Sequence, residues 1–165
     1  MGERLTKSDV EKIEAEIRRR KVELRPELIA AVKEARAQGD LSENFEYYAA
    51  KREKNQNESR IRYLERMLRM GSIIEDRMDE DQAGLDKLVE VYFEEDEENA
   101  TYKLVTSIRG NSRSGRISIE SPLGKALMGH RAGDRVFVPI SGSNGYYVKL
   151  CSVTQDEADE DIRAF

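Results

Sequence analysis

The chain has 165 residues, enough for one compact domain or for a helical rod that carries a small domain. Charged residues make up 37% and hydrophobic residues 38%, a balance too polar for one large core. The net charge of −5 combines +3 over residues 1–70 with −8 over residues 71–165, which indicates two units with different partners. One cysteine and one histidine exclude an internal disulfide, a zinc constellation and a Ser-His or Cys-His nucleophile.

The first predicted element is a long helix over residues 8–36. Apolar side chains recur there at spacings of three, four and seven residues, the pattern of an amphipathic helix. Pro26 lies inside this pattern and predicts a kink or a brief interruption, since proline lacks the N–H of the helical hydrogen bond. The stripe consists of Val10, Ile13, Ile17, Leu24, Leu28 and Ala35.

A second helix follows a turn at Gly39, and its stripe has the three-four alternation of a coiled-coil seam. Two seam positions, Lys54 and Asn57, are polar; such residues cost stability but help to fix the register. Gly71 predicts the end of this helix. Because a short turn joins the helices, they should form an antiparallel hairpin, roughly 44 Å long at about 1.5 Å per residue. The seam runs through Tyr47, Ala50, Lys54, Asn57, Ile61, Leu64 and Leu68.

The rest of the chain changes to the composition and period of β-strands. The predicted strands cover residues 87–93, 101–107, 116–119, 135–140 and 146–153. Ser121 and Pro122 before LGKALMG predict a capped helix of two turns, with proline at its first position. The acidic tail DEADED is predicted to be a frayed end. The fold class is therefore α+β: a helical hairpin over residues 1–75, then a small domain with an antiparallel sheet and one short helix over residues 76–165.

The tip of the hairpin, residues 39–44, allows two interpretations. Asp40 and Glu43 stand three residues apart, which suits a capping box at the start of a helix. Clustered carboxylates at the end of a rod also suit Mg²⁺, which prefers hard oxygen ligands. Two carboxylates alone would bind the ion weakly, so another protein or a nucleic acid would have to supply the remaining ligands.

Basic residues lie behind the tip on both predicted helices. In a hairpin, Lys33 and Arg36 reach a depth similar to that of Lys51, Arg52 and Lys54. Such a collar suits contact with a phosphate backbone. The alternative is a solvated coiled-coil flank with ordinary surface ion pairs.

Two long motifs resemble the bacterial GreA/GreB family of transcript-cleavage factors. GDLSENFEYYAAK, residues 39–51, is similar to the family's tip motif, and RPELIAAVKEARAQGD resembles the helix before it. RISIESPLGKALMGHRAGDRVFV, residues 116–138, resembles the family's C-terminal core. The resemblance implies an antiparallel coiled coil followed by an FKBP-like domain. Leu41 is similar to GreA, whereas residues 59–68 are nearer to GreB; we favour a GreA-like protein.

The resemblance also implies a function in transcription elongation. Family members bind RNA polymerase at its secondary channel and stimulate the polymerase's own cleavage of backtracked RNA near the 3′ end. By this resemblance, Asp40 and Glu43 help to hold a second Mg²⁺, shared with the polymerase, and the attacking water. Leu41, Ser42, Asn44 and Phe45 are implied to shape the tip, and Ser121, Pro122 and Leu123 to dock on the channel-rim coiled coil. Arg36 and Lys51 are implied to face the RNA. Hairpin geometry adds Arg52 and Lys54 to these RNA-facing residues.

The implied protein is an accessory factor and not an enzyme by itself, because two carboxylates do not assemble a metal site unaided. It would have no cofactor of its own. No apolar run approaches the roughly 20 residues of a membrane span, and the single cysteine suits a reducing cytoplasm. We therefore predict a cytoplasmic monomer without a membrane partner.

Two departures from the family pattern bear on the function. Phe45 stands where the family usually has alanine, and would pack on the hairpin or contact the polymerase. IRGNSRS, residues 108–114, lacks the acidic stretch common at this place, which puts polymerase affinity in question and keeps an inhibitory Gre-like regulator as an alternative. Two more functions stay open: a prolyl isomerase, for which the second unit lacks a tryptophan floor, and a coiled-coil adaptor without tip chemistry.

Overall fold

A computed structural model describes residues 2–39 and 44–164. These residues form two compact units, one made of residues 2–3 and 7–72 and the other of residues 4–6 and 73–164. Four predicted tip residues lie outside the described residues: Asp40, Leu41, Ser42 and Glu43. In the parts of the chain that are described, no helix has both the length and the apolar character that crossing a membrane requires.

The first unit contains two helical arms. The elements are α1 (Lys7–Arg19), a π-helical segment (Arg20–Leu24) and α2 (Arg25–Arg36) in the first arm, and α3 (Phe45–Met70) in the second. The arms are antiparallel, because the partner's number falls as the first arm advances: Lys21 pairs with Glu65, and Arg25 pairs with Glu58. The predicted helical hairpin is thus confirmed. The second arm ends where expected, before Gly71.

The sequence predicts a helix irregularity at Pro26, and the structure has it just before the proline. The π-helical segment precedes the proline, and the Arg25 N–H donates to the carbonyl of Arg20, a step of five residues. Pro26 then occupies the first turn of α2, where a missing N–H costs little. The first arm therefore continues past the proline instead of ending there.

At the centre of the seam between the arms, Asn57 forms a polar pair with Arg20. Asn57 is 4% exposed; its side chain accepts a hydrogen bond from Arg20 Nη1 (2.9 Å) and donates one to the Arg20 carbonyl (3.2 Å). Because both halves of the amide are bonded, the buried Asn57 favours one register of the arms. Leu68 is only half-buried, and Met67 is buried in its place. The buried apolar side chains of this unit are Ile13, Ala35, Tyr47, Ile61, Leu64 and Met67.

Next to this amide, sequence reasoning missed a cluster of three charges. Glu16 Oε2 accepts hydrogen bonds from Arg20 Nε (2.7 Å) and Arg60 Nε (2.8 Å), and Arg60 is 8% exposed. Burial alone would raise the pKa of Glu16, but the hydrogen bonds and charges of the two arginines outweigh it and lower the pKa below its ordinary value. The carboxylate is therefore ionised at neutral pH.

We expect the hairpin to lose stability in acid through Glu16. The folded state lowers the pKa of this carboxyl, so its stabilising contribution is complete above the unfolded value of about 4.3 and is lost as pH falls through the lower, folded value. Urea unfolding at several pH values should show that Glu16→Gln flattens this acid-side slope. Glu14→Gln, an exposed change on the same helix, is the control. Equal slopes for Glu16→Gln and wild type would contradict the expectation.

The second unit is built on a five-stranded sheet. Its elements are β3 (Lys87–Phe93), β4 (Glu98–Val105), β5 (Arg116–Ser118), α4 (Pro122–Leu127), β6 (Arg135–Ser141) and β7 (Asn144–Gln155). The strands lie in the sheet in the order β5-β4-β3-β7-β6. Two short strands, β1 (Arg4–Leu5) and β2 (Ser72–Ile73), lie earlier in the chain, and the Ile74 N–H donates to Leu5 O (2.8 Å). The predicted α+β class is confirmed.

The sequence predicted an antiparallel sheet, but one pair of strands in the sheet is parallel. β5 runs parallel to β4, with Lys103 opposite Arg116, while the other neighbouring pairs are antiparallel. Two 3₁₀ turns, Ser107–Arg109 and Ser112–Ser114, redirect the chain, and Gly115 adopts a positive φ of 75° before β5. A strand of three residues carries too little pattern to reveal its direction.

The core lies between one face of this sheet and α4. On β3, for example, alternate residues are buried, as a period of two requires. Lys87 takes one of these inward positions at 1% exposure, and its Nζ donates to the carbonyls of Asp79 (2.5 Å) and Gln82 (2.9 Å). The apolar core consists of Ala83, Leu85, Val89, Val91, Leu104, Ile119, Leu127, Val136, Val138, Val148 and Leu150.

The prediction of a frayed acidic end is wrong. The C-terminal tail, defined here as residues 156–164, has no helix or strand but is bonded to the sheet unit. The Arg163 N–H donates to Ile108 O (2.7 Å), and Lys103 Nζ donates to Ala158 O (2.8 Å). Lys103, a buried cation on β4, binds the tail, and composition alone did not indicate this interaction.

Candidate functional site

The described ends of the two arms frame the tip. α2 ends at Arg36, and the next two N–H groups close its last turn: Ala37 donates to Lys33 O (3.1 Å) and Gln38 to Ala35 O (3.2 Å). Gly39 follows with a φ of 142°, a conformation that favours glycine. The proposed metal ligands Asp40 and Glu43 come next and lie outside the described residues, so their roles stay predictions.

Asn44 connects the two arms at this end. Its side-chain oxygen accepts the Tyr47 N–H (3.0 Å) and so caps α3, and its Nδ2 donates to the Ala35 carbonyl at the end of α2 (2.6 Å). One side chain therefore satisfies a free donor of one helix and a carbonyl of the other. This observation gives the predicted tip-shaping role of Asn44 a physical basis.

We expect Asn44→Ala to destabilise the hairpin by about 2 kcal/mol, because it removes a helix cap and a second hydrogen bond. Asn44→Asp should cost about half as much, since a carboxylate keeps the cap but has no N–H for the Ala35 carbonyl. Urea unfolding of both variants measures the difference. If Asn44→Asp is as stable as wild type, the bond to Ala35 contributes nothing.

Phe45 is 84% exposed at the start of α3. The expectation that Phe45 packs on the hairpin is therefore wrong. An exposed ring next to the tip is available to a partner, and contact with the polymerase stays a prediction.

A cluster of basic side chains surrounds Tyr47, which is 8% exposed. Arg36 Cζ lies 5.5 Å and Lys51 Nζ 6.0 Å from the centre of the tyrosine ring, within the range of cation–π attraction. A hydrogen bond from Arg36, with the charges of Lys51 and Lys54, lowers the pKa of Tyr47. Three of the four predicted RNA-facing residues thus share one neighbourhood. Arg52, the fourth, is exposed on α3.

Sequence reasoning assigned Tyr47 to the seam and missed its contact with the basic residues. The spacing of Tyr47 and Lys51 is a signal that was available, since residues four apart lie on one face of a helix. Arg36 comes from the other arm, so its contact with the ring depends on the register of the hairpin. The ring organises positive charge from both arms directly behind the tip.

The predicted docking residues lie at the start of α4. Ser121 caps this helix: its Oγ accepts the Gly124 N–H (3.1 Å) and donates to Ser118 O (2.6 Å). Pro122 is exposed, whereas Leu123 is half-buried against the core. The capping interpretation of Ser121 is confirmed, and contact of the three residues with a polymerase stays a prediction.

The loop that departs from the family pattern, residues 108–114, is part of the folded sheet unit. Ile108 and Arg109 are buried. Asn111 begins the second 3₁₀ turn, and its side chain accepts the N–H groups of Arg113 (3.1 Å) and Ser114 (3.3 Å). Although acidic residues are missing from the loop itself, the acidic C-terminal tail lies against it through Arg163.

Known proteins resemble the chain in both units. The model of the transcription elongation factor GreA/GreB N-terminal region matches residues 3–73, and that of the C-terminal region matches residues 78–155. GreA of Lachnoclostridium phytofermentans is 40% identical over 147 residues, covering 88% of this chain and 92% of that protein. GreA of Macrococcus caseolyticus is 38% identical over 150 residues, covering 91% and 95%.

Among solved structures, the GreA factor homolog 1 (Gfh1) protein of Thermus thermophilus is 27% identical, covers 93% of this chain and 99% of its own, and has a TM-score of 0.43. The two family matches and the high coverage of the GreA relatives confirm the family that the motifs predicted. The chain belongs to the GreA/GreB family of transcription elongation factors.

Proposed function

We propose that this protein binds bacterial RNA polymerase at the secondary channel and stimulates the polymerase's own cleavage of backtracked RNA. The observation that carries the proposal is the cluster of Arg36, Lys51 and Lys54 around Tyr47, at the two helix ends that flank Asp40 and Glu43. Positive groups attract the RNA backbone, and a pair of carboxylates attracts a hard cation. The tip therefore combines a contact for the substrate with ligands for the reaction.

Asp40 and Glu43 would hold a Mg²⁺ ion jointly with the polymerase. Their hard oxygens fit the ion, but two carboxylates fill only part of its octahedral shell. In this proposal the polymerase supplies the remaining ligands. When bound, the ion polarises a phosphoryl oxygen and lowers the pKa of water. The protein itself is then an accessory factor and not an enzyme.

The chain's other residues bind and orient in this proposal. Arg36, Lys51, Arg52 and Lys54 contact the RNA near its 3′ end, and Asn44 holds the tip to both arms. Leu41, Ser42 and Phe45 complete the shape of the tip. At the docking surface, Pro122 makes the direct contact because it is exposed, while Ser121 and Leu123 fix the helix that carries it. The protein acts as a monomer in the cytoplasm.

The test is a stalled, backtracked bacterial transcription complex that carries 3′-labelled RNA. Addition of the protein should release short 3′ fragments at least about tenfold faster than the complex alone, and only with Mg²⁺ present. The protein incubated with the same free RNA should release none, as expected of an accessory factor. Binding to the complex without faster cleavage would favour the inhibitory regulator, and absence of binding would reject the polymerase as partner.

A further inference from the structure

Two buried cations in the sheet unit contact acids of residues 156–160: Lys103 contacts Asp156 and Glu160, and Arg109 contacts Glu160 in addition to Asp86. Lys103 on β4 and Arg109 in the first 3₁₀ turn are each 4% exposed. Removing an ammonium or guanidinium group from water is costly unless protein oxygens replace the lost hydration. The source of these oxygens therefore shows what kind of molecule the two cations bind.

Lys103 Nζ binds a peptide segment and not only a charge. It contacts three oxygens: Glu160 Oε1 at 2.5 Å, the Ala158 carbonyl at 2.8 Å and Asp156 Oδ2 at 3.4 Å. All three belong to the C-terminal tail. A hydrogen bond from the Ala158 N–H, together with the charge of Lys103, lowers the pKa of Asp156, so this carboxyl is ionised at neutral pH.

Arg109 is oriented by the sheet unit itself. Its guanidinium donates to both carboxylate oxygens of Asp86, at 2.5 Å and 3.4 Å, and its carbonyl accepts a hydrogen bond from Arg116 Nε (3.1 Å). Glu160 Oε2 of the tail adds a contact at 3.4 Å. Half of the site is therefore formed independently of the tail.

The tail is the segment of this unit best suited to exchange. It has no helix or strand in residues 156–164, and such irregular segments open at lower free energy than the strands of a sheet. When it opens, Lys103 loses all three oxygens named above. The ammonium is then without its carboxylate partners and is available to another carboxylate.

We propose that Lys103 and Arg109 form a binding site for acidic peptide segments, and that residues 156–163 are its intramolecular occupant. The ligand class follows from the contacts: two carboxylates four residues apart with a backbone carbonyl between them. An acidic segment of another protein binds here only after it displaces the tail. The inference does not depend on the proposed action in RNA cleavage.

The test uses the full chain and a fluorescent peptide with the sequence of residues 155–164, QDEADEDIRA. A variant with Asp156→Asn and Glu160→Gln weakens the internal competitor and keeps both cations. Since a tethered segment competes at an effective concentration in the millimolar range, we expect the variant to bind the peptide at least about tenfold more tightly than wild type. Adding Lys103→Gln to the variant should abolish the binding.

Two controls separate this site from general charge attraction. Glu157→Gln with Asp161→Asn removes the same charge from exposed positions of the tail and should bind the peptide as wild type does. A peptide with all its acids changed to amides should bind none of the proteins. If the Asp156→Asn, Glu160→Gln chain is folded by circular dichroism and binds no more tightly than wild type, the inference is overturned.

If that variant does not fold, the wild-type protein still decides the question. The Arg163 N–H, which donates to Ile108 O, reports attachment of the tail through its hydrogen exchange. Excess acidic peptide should accelerate this exchange at least about fivefold, while amides of β3 stay protected. Equal exchange rates with the acidic and the amide peptide would reject an exchangeable site.

Discussion

Asp40→Asn should reduce factor-stimulated RNA cleavage at least about 100-fold while the affinity for the polymerase changes less than about twofold. The amide has nearly the shape of the carboxylate but lacks its charge, so it is a much poorer ligand for Mg²⁺. Docking is assigned to residues of the other unit, which this change does not touch. Cleavage of 3′-labelled RNA and competition binding on the same backtracked complex measure the two effects separately.

Glu46→Gln is the matched control for this substitution. Glu46 is exposed in the first turn of α3, so the change removes an equal charge close to the tip without altering a proposed ligand. It should leave cleavage within about twofold of wild type. A higher Mg²⁺ concentration should partly restore cleavage with Asp40→Asn, since a weakened site fills at higher metal concentration. Full activity of Asp40→Asn would support an adaptor without tip chemistry.

The second large effect is expected in the sheet unit, where Gly124→Ala should destabilise the fold by about 3 kcal/mol or more. A Cβ at this position would lie 2.1 Å from the carbonyl oxygen and 2.9 Å from the carbonyl carbon of Ser118. These are backbone atoms, so a side-chain rotation does not relieve the overlap. The same overlap would displace Ser121, whose Oγ binds both Gly124 and Ser118.

Urea unfolding measures this loss of stability, and hydrogen exchange of the β3 amides provides a second measurement of it. Lys125→Ala, the next residue of α4, is exposed and changes to a better helix former, so its effect should be within about 0.5 kcal/mol. Gly124→Ala should also weaken polymerase binding, because the proposed docking residues begin the same helix. A variant with wild-type stability would show that α4 moves away from β5 without cost.

The parts of the fold that follow from periodicity were predictable. Burial of one face dictates a three-four spacing in helices and a two-residue spacing in strands, and each pattern can be seen within a single segment. Contacts between distant segments were not predictable in this way. The parallel pairing of β5, the burial of Lys103 and the attachment of the tail each depend on a partner far away in the chain.

The candidate site shows the same division. Its acids, Arg36 and Lys51 were proposed from the resemblance of the tip motif, and Arg52 and Lys54 from hairpin geometry; their roles stay predictions. The double role of Asn44 was not predicted, since its bond to Ala35 requires the two helix ends to meet. The placement of Tyr47 between Arg36 and Lys51 likewise depends on how the arms pair.

The buried amide in the seam also determines how far the tip reaches. Asn57 and Arg20 exchange two hydrogen bonds, and Arg25 and Glu58 add a paired contact nearby, so sliding one arm along the other breaks all of them. A slip of one helical turn would move one side of the tip by about 5.4 Å. A metal–oxygen bond is only about 2 Å long. Under the proposed function, Asn57 thus helps to fix the position at which the two acids would meet the metal, although it is far from them in the chain.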